Sequence, residues 1–228
     1  MSTPICDFVR GYCDSVLLRL HMPGHKGRGE LGCEALDITE VPGADDLACP
    51  EGVILESEEN TTELFGSRHS FYCTGGSSQC VKAMLHLAYL FRPEGTGNCI
   101  LAARNAHKSF LHGCALLGLE PRWLYPEAGT PLCSCPVSPA ALERALQTGE
   151  RPFAVYITSP DYLGGVQDIS ALAEVCHRHG LPLLVDNAHG AYLKFLEPSR
   201  HPLDLGADMC CDSAHKTLPV LTGGAYLH

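Results

Sequence analysis

Apolar runs alternate with amphipathic segments along most of the chain, and this alternation constrains the fold more than any other feature. The strand-like runs cover residues 71–73, 98–102, 153–157, 182–186 and 208–211. The helix-like segments between them cover residues 79–91, 107–117, 138–146 and 170–179. Continuous apolar strands separated by amphipathic helices predict a mostly parallel sheet with helices on both faces, which is a three-layer α/β/α fold.

Composition and charge exclude several classes of protein. The chain has 228 residues, of which 45% are hydrophobic and 18% charged, as expected of a globular protein. Its formal net charge of −10 argues against a non-specific nucleic-acid binder, which needs a basic surface. No apolar run approaches the ~18 residues that span a bilayer, and the N-terminus lacks the features of a signal peptide. We therefore expect a cytoplasmic protein.

The thirteen cysteines contain no CxxC spacing, so neither a zinc ribbon nor a thioredoxin-type motif is predicted, and no metal site is expected. Most of them lie within apolar stretches. We interpret them as free thiols that serve as small apolar residues in a reducing compartment. Cys133 and Cys135, in a loop flanked by prolines, are the one pair that could be redox active.

The chain divides unevenly. Residues 1–65 are rich in glycine, proline and acidic residues, and we expect an irregular segment that packs on the large domain or on a partner subunit. Residues 66–228 are expected to form the large domain. The chain ends soon after a Gly223-Gly224 turn without a terminal cap, which predicts that the C-terminal part is truncated. The acidic residues between 40 and 63 are either a solvated face or an attraction for a basic substrate.

Polar clusters follow the strands. They cover residues 75–78, 105–109, 159–165, 186–189 and 213–217. In parallel α/β sheets, ligands bind beyond the carboxyl ends of the strands. The clusters are therefore predicted to line one crevice.

Four of these clusters contain residues whose chemistry suggests a cofactor site, although each also has a purely structural interpretation. Lys216 is either a solvated lysine or a Schiff-base lysine with a lowered pKa. Asp186 ends a strand, where it could cap a helix or hold a proton on a pyridine nitrogen. His107 could stack on an aromatic ring or cap a helix. Thr74-Gly-Gly-Ser-Ser78 could bind an anion at a helix N-terminus or form an ordinary turn, and it matches neither the P-loop nor GxGxxG.

Six motifs, taken together, resemble one family. They are Leu20-His-Met-Pro-Gly-His-Lys-Gly27, Asp37-Ile-Thr-Glu-Val-Pro-Gly-Ala-Asp-Asp-Leu47, Thr74-Gly-Gly-Ser-Ser78, Ala103-Arg-Asn-Ala-His-Lys-Ser109, Val185-Asp-Asn-Ala-His-Gly-Ala191 and Asp212-Ser-Ala-His-Lys-Thr-Leu-Pro219. Their order and spacing resemble the major domain of the Orn/Lys/Arg decarboxylases, which are pyridoxal 5'-phosphate (PLP) enzymes with the aspartate-aminotransferase fold. The resemblance covers the chain from about Leu20 to its end.

The resemblance implies a role for each site residue. Lys216 would form the internal aldimine with PLP, Asp186 would contact the pyridine nitrogen, and His107 would stack on the ring. His189 would lie near the ring. The phosphate would be held by the turn and the lysine motif, at Gly76, Ser77, Ser78, Ser213 and His215.

The implied reaction is decarboxylation of arginine, lysine or ornithine to the corresponding amine and CO2, in a homodimer or larger homo-oligomer with the active site at the interface. Two other interpretations remain open. One is another PLP reaction on this fold, such as that of an aminotransferase or a lyase. The other is a truncated, inactive PLP domain or a regulatory subunit. A nucleotide-binding domain is disfavoured because its glycine motifs are missing.

Overall fold

The computed structural model describes residues 2–15 and 17–228. These residues form two compact units, of which the first ends at Ser70 and the second begins at Phe71. Within the described part of the chain, no helix combines the length and the apolar character that crossing a membrane requires.

Among its described residues, the first unit has two α-helices, α1 (Pro4–Asp14) and α2 (Val53–Phe65), and a 3-10 turn at Glu34–Leu36. The start of α2 is held by Asp45, whose carboxylate accepts backbone N–H groups from Gly52 at 2.8 Å and Ile54 at 3.0 Å. Backbone hydrogen bonds, above all the one from Glu51, lower the pKa of Asp45 below its usual value. A carboxylate from the 37–47 motif therefore caps the N-terminus of α2.

The second unit is built on a seven-stranded sheet. Its strands are β1 (Phe71–Cys73), β2 (Cys99–Ala103), β3 (Glu120–Leu124), β4 (Val155–Thr158), β5 (Leu183–Asp186), β6 (Met209–Asp212) and β7 (Ala225–Leu227). Their order across the sheet is β1-β7-β6-β5-β4-β2-β3. The pairs from β3 through β6 are parallel, and β7 is antiparallel to both of its neighbours.

Helices cover both faces of this sheet. They are α3 (Ser77–Leu90), α4 (Lys108–Leu117), α5 (Pro139–Leu146), α6 (Ile169–Arg178) and the short α7 (Ala214–Thr217). Successive strand residues point to opposite faces, so Tyr156 of β4 joins the core with α3 and α4, whereas Val155 and Ile157 join the core with α5 and α6. The predicted three-layer, mostly parallel α/β architecture is confirmed.

Three features were not predicted from the sequence. The strand β3 forms one edge of the sheet, the strand β7 inserts between β1 and β6, and the first unit contains two helices rather than only irregular chain. The predicted helix at 107–117 begins one residue later, because His107 is its N-cap.

Candidate active site

A cavity of about 320 Å³ lies at the carboxyl ends of the central parallel strands. The predicted residues Ser77, His107, Asp186, His189 and Lys216 all line it. Tyr162, from the loop after β4, also lines the cavity, so each of the five polar clusters contributes to its wall. The structure thus brings the predicted amine and carboxylate, Lys216 and Asp186, to one site.

Asp186 is the last residue of β5 and is only 3% exposed. Its Oδ2 accepts a hydrogen bond from the Tyr156 hydroxyl at 3.0 Å. Its Oδ1 accepts the backbone N–H of Ala188 at 3.2 Å and the thiol of Cys211 at 3.6 Å. A buried carboxylate needs such donors, and here they hold both oxygens in place at the cavity wall.

Lys216 lies in α7 and is exposed. Its Nζ donates a hydrogen bond to Nε2 of His189 at 3.0 Å, which requires that imidazole nitrogen to be unprotonated. Burial, and then the charge of Lys216, lower the pKa of His189 below its usual value. The ring of His189 also makes an edge contact with Tyr162, with 5.8 Å between the ring centroids.

His107 caps α4 through its own ring. Its Nδ1 accepts the backbone N–H of Ser109 at 3.3 Å, and the Ser109 hydroxyl lies 2.8 Å from the same nitrogen. Because Nδ1 is an acceptor, the Ser109 hydroxyl donates to it and in turn accepts from Ser78, whose Oγ is 2.6 Å away. The hydroxyl hydrogen of Ser78 is therefore used within the protein.

The remaining predicted residues do not line the cavity, but each adjoins or contacts a residue that does; they are Gly76, Ser78, Ser213 and His215. Gly76 has a φ of +68°, and a side chain there would lie 3.9 Å from the ring of His215. The ring Nδ1 of His215 donates to the carbonyl of Gly224 at 3.0 Å. Ser213 donates to Oγ of Ser77 at 2.6 Å, which leaves the Ser77 hydroxyl hydrogen free for a ligand.

Three buried polar atoms of residues that line the cavity lack a hydrogen-bond partner among the described residues. They are the hydroxyl of Thr158, a residue only 8% exposed, the side-chain carbonyl oxygen of Asn105 and Nδ1 of His189. Buried polar groups are nearly always hydrogen-bonded, so these atoms are available to water or to a polar ligand. An amine, a carboxylate, an imidazole and a free hydroxyl around a cavity of this size suit a phosphorylated pyridine aldehyde such as PLP.

Behind the cavity, Asp212 is fully buried at the end of β6 and forms a polar network. Its Oδ2 accepts from His201 at 3.0 Å and lies 3.4 Å from Nε2 of His228, and its Oδ1 accepts from the side-chain amide of Asn187. Burial alone would raise the pKa of Asp212, but the hydrogen bonds from the two histidines lower it to about 2. This network connects Asn187, which follows Asp186, to Asp212, which precedes Ser213.

Sequence reasoning missed Tyr156, Thr158 and the network of Asp212. Tyr156 and Thr158 lie within a continuous apolar strand, and no neighbouring residue indicates that their hydroxyl groups face the site. Asp212 is the first residue of one of the six motifs, and nothing beside it in the sequence indicates its contact with His201. One signal could have found Thr158, because it lies next to the predicted loop at 159–165, at the carboxyl end of its strand.

Comparisons with known proteins identify the family of the chain. The chain matches the family model described as "Orn/Lys/Arg decarboxylase, major domain" over residues 3–228. It is 34% identical to the uncharacterized protein YaaO of Bacillus subtilis (strain 168), covering 100% of this chain and 49% of that protein. It is 30% identical to the arginine decarboxylase of Halalkalibacterium halodurans, covering 99% of this chain and 48% of that protein.

Solved structures extend the comparison to the fold. Lysine decarboxylase A from Pseudomonas aeruginosa superposes with a TM-score of 0.78 at 21% identity, covering 99% of this chain and 34% of that chain. The chain spans about half the length of the curated relatives it matches. The family model nevertheless accounts for nearly every residue, and the chain therefore belongs to the Orn/Lys/Arg decarboxylase major-domain family.

Proposed function

We propose that the protein acts in the PLP-dependent decarboxylation of arginine, lysine or ornithine to the corresponding amine and CO2. One observation carries the proposal: the amine of Lys216, the carboxylate of Asp186 and the imidazole of His107 line one cavity in a chain of this decarboxylase family. Relatives named arginine decarboxylase and lysine decarboxylase support a basic amino acid as the substrate.

The described residues suit the parts of the cofactor. When bound, PLP would supply an electron sink for cleavage of the bond to the substrate's α-carboxyl group. Asp186 would hold a proton at the pyridine nitrogen, and His107 would pack on the ring. The free hydroxyl of Ser77 and the N-terminus of α3 would bind the phosphate. Ser78 would support His107 through Ser109 instead of donating to the phosphate.

Lys216 and His189 would hold and move protons in the cavity. Lys216 would supply the amine that carries the cofactor, and its exposure would let it exchange partners with a substrate amine. His189, with its lowered pKa, stays neutral near pH 7 and accepts a hydrogen bond from Lys216 Nζ. The pair therefore provides a proton donor and a proton acceptor 3.0 Å apart.

The test compares Lys216→Ala with Lys82→Ala. Lys82 lies in α3 and does not line the cavity, so its substitution controls for the loss of a lysine. We expect wild type and Lys82→Ala to acquire the visible absorbance that PLP shows after reaction with a lysine amine, and Lys216→Ala to lack it. Retention of that absorbance in Lys216→Ala would remove the central assignment.

Product analysis separates decarboxylation from its alternatives. Labelled arginine, lysine and ornithine are each incubated with the PLP-loaded protein, and CO2 and keto acid are measured. Release of CO2 supports the proposal, whereas formation of a keto acid identifies an aminotransferase. Binding of PLP without either product identifies an inactive PLP domain.

We also propose a homo-oligomer in the cytoplasm. All thirteen cysteines are free, which suits a reducing compartment. Sedimentation of the purified chain with and without PLP tests the oligomeric state, and a monomer under both conditions would contradict that part of the proposal.

A further inference from the structure

Tyr156 lies where a side chain from β4 can reach the carboxylate at the end of β5. In the parallel pair, Thr158 is opposite Asp186 and Tyr156 is opposite Leu184. Tyr156, Thr158 and Asp186 therefore share one face of the sheet. Strand side chains lean along the strand, so the long phenol of Tyr156 extends to the carboxylate beside Thr158.

The hydroxyl of Tyr156 is in a position to act only as a donor to Asp186. The side chain is fully buried, and its ring packs on Phe110 of α4 with 4.4 Å between the centroids. Burial, and then the charge of Asp186, raise the pKa of Tyr156 well above its usual value. The phenol stays protonated across the working pH range and donates to Oδ2 at 3.0 Å.

Loss of this donor would change Asp186 more than loss of either of the others. The N–H of Ala188 and the thiol of Cys211 both contact Oδ1, so the described residues show Tyr156 as the donor to Oδ2. Without the hydroxyl, Oδ2 loses this donor and the carboxylate is held through Oδ1 alone, so its last torsion angle is less restrained.

We propose that Tyr156 is a positioning residue that fixes the Asp186 carboxylate for contact with the cofactor's pyridine nitrogen. This inference rests on the proposed function, because it requires that the cavity bind a ring with such a nitrogen. It predicts that Tyr156 increases the affinity for a ring that contains the nitrogen and not for a ring that lacks it. If Tyr156 acted through packing alone, it would increase the affinity for both rings.

The experiment measures the affinity of wild type, Tyr156→Phe and Tyr89→Phe for two ligands. One ligand is PLP, and the other is its analogue in which carbon replaces the pyridine nitrogen. Tyr89→Phe is the matched control. Tyr89 is a residue of α3 that packs on the same core, against Phe153, but does not line the cavity. We expect Tyr156→Phe to bind PLP about tenfold more weakly than wild type, the effect of losing a hydrogen bond to a charged group. We expect it to bind the carbon analogue as wild type does.

The outcomes distinguish this inference from the proposed function. If wild type binds PLP and Tyr156→Phe binds it equally well, the role of Tyr156 is overturned while the proposed function stands. An equal loss for both ligands would indicate packing alone and would also overturn it. If wild type binds neither ligand, both proposals fail.

A second variant covers the case in which Tyr156→Phe is unstable. Incorporation of 3-fluorotyrosine at position 156 keeps the ring and the hydroxyl but makes the hydroxyl a stronger donor. The affinity for PLP should then differ from that of wild type, and the affinity for the carbon analogue should not. Unchanged affinity for both ligands would overturn the inference.

Discussion

The two walls of the cavity differ in how firmly they hold their charged groups. The carboxylate wall is formed by Asp186, with Asp212 behind it. These two residues end neighbouring strands, are almost completely buried and accept hydrogen bonds from several side chains. On the other wall, Lys216 lies in a helix of four residues, is exposed and donates to the ring of His189. Several donors hold the carboxylate wall, whereas on the lysine wall exposure leaves the side chain of Lys216 less restrained.

This difference suits the two tasks of such a site. A carboxylate that holds a proton on a ring must keep its position, and burial among donors makes movement costly. An amine that exchanges partners with a substrate must move, and exposure allows that movement. Substitutions on the carboxylate wall should therefore alter stability and binding together, whereas substitutions on the lysine wall should alter reactivity while leaving stability nearly unchanged.

The largest expected effect is that of Asp212→Ala. Removing the carboxylate deletes the buried acceptor of His201 and of the Asn187 amide, and two hydrogen bonds to a charged group at about 1.5–3 kcal/mol each contribute about 3–5 kcal/mol. We expect the free energy of unfolding, measured by urea denaturation at pH 7, to fall by that amount. The control is Asp204→Ala, whose partly exposed pair with Lys194 should contribute about 1 kcal/mol or less. Equal losses in the two variants would contradict the special role of the buried network.

The decrease in the free energy of unfolding at low pH tests the same network. Because the folded-state pKa of Asp212 is lowered from 3.8 to about 2, its stabilising contribution is complete above pH 3.8 and is lost as the pH falls towards 2. Wild type should therefore lose more stability between these pH values than Asp212→Ala does. Parallel stability curves for the two proteins in this range would show that Asp212 is not stabilised by its histidines.

The next largest effect is expected for Asp186→Asn. The amide keeps the size of the side chain but cannot hold a proton on a ring nitrogen, and loss of a preorganised electrostatic contact of this kind costs about a hundredfold in kcat. The measurement is CO2 release by the PLP-loaded protein. Glu174→Gln, an exposed residue of α6, is the control and should retain full activity. A loss below tenfold would remove Asp186 from the proposed mechanism.

The sequence predicted the centre of the sheet better than its edges. Strands β2, β4 and β5 are buried on both faces, so each is a continuous apolar run that is visible in the sequence. Edge strand β3 contains Glu120, Pro121 and Arg122, and its pattern is that of a loop, because an edge strand tolerates proline and exposed polar residues. Strand β7 has three residues, too few for any pattern to be recognised.

Helix α2 was not predicted from the sequence, and the reason differs from that for the edge strands. Its buried positions include Ser57, Glu58 and Thr61, so the apolar period that marks an amphipathic helix is absent. Its acidic residues suggest a solvated charge run instead. The sequence could not show that Asp45, several residues upstream, caps this helix, because the capping contact depends on the path of the loop between them.

The sequence predicted which single residues lie together at the cavity, but it did not predict the contacts between pairs of residues. Lys216, Asp186 and His107 each lie at or just after the end of a strand, and parallel strands bring their carboxyl ends together. The bond between Tyr156 and Asp186 depends on the register of two strands separated by a helix, which the sequence does not reveal. The same holds for the contact of Asp212 with His201.

On the lysine wall, His189→Gln should change how activity depends on pH. It should change the activity at the optimal pH less. The pKa of His189 is lowered, so the imidazole is neutral at pH 7 and gains a proton only as the pH falls through that lowered pKa. Protonation places a second positive charge beside Lys216 and removes the acceptor for its Nζ. Wild type should lose activity as the pH falls through that lowered pKa, and a little stability as the pH falls below the ordinary histidine value of about 6.5. Glutamine does not titrate, so the variant should not show this loss of activity at lower pH. An identical loss in both proteins would mean that another group titrates.

The smallest expected effect is that of Ser109→Ala, and it tests whether the exposed imidazole of His107 depends on a buried partner. Ser109 is 3% exposed and links Ser78 to Nδ1 of His107, so its loss removes one donor to the ring and one acceptor for Ser78. A neutral hydrogen bond contributes about 1 kcal/mol, which corresponds to about a fivefold loss of affinity for PLP. Ser170→Ala, an exposed position of α6, controls for the substitution itself. Unchanged affinity in Ser109→Ala would show that the backbone N–H of residue 109 alone holds the ring, because alanine keeps that donor.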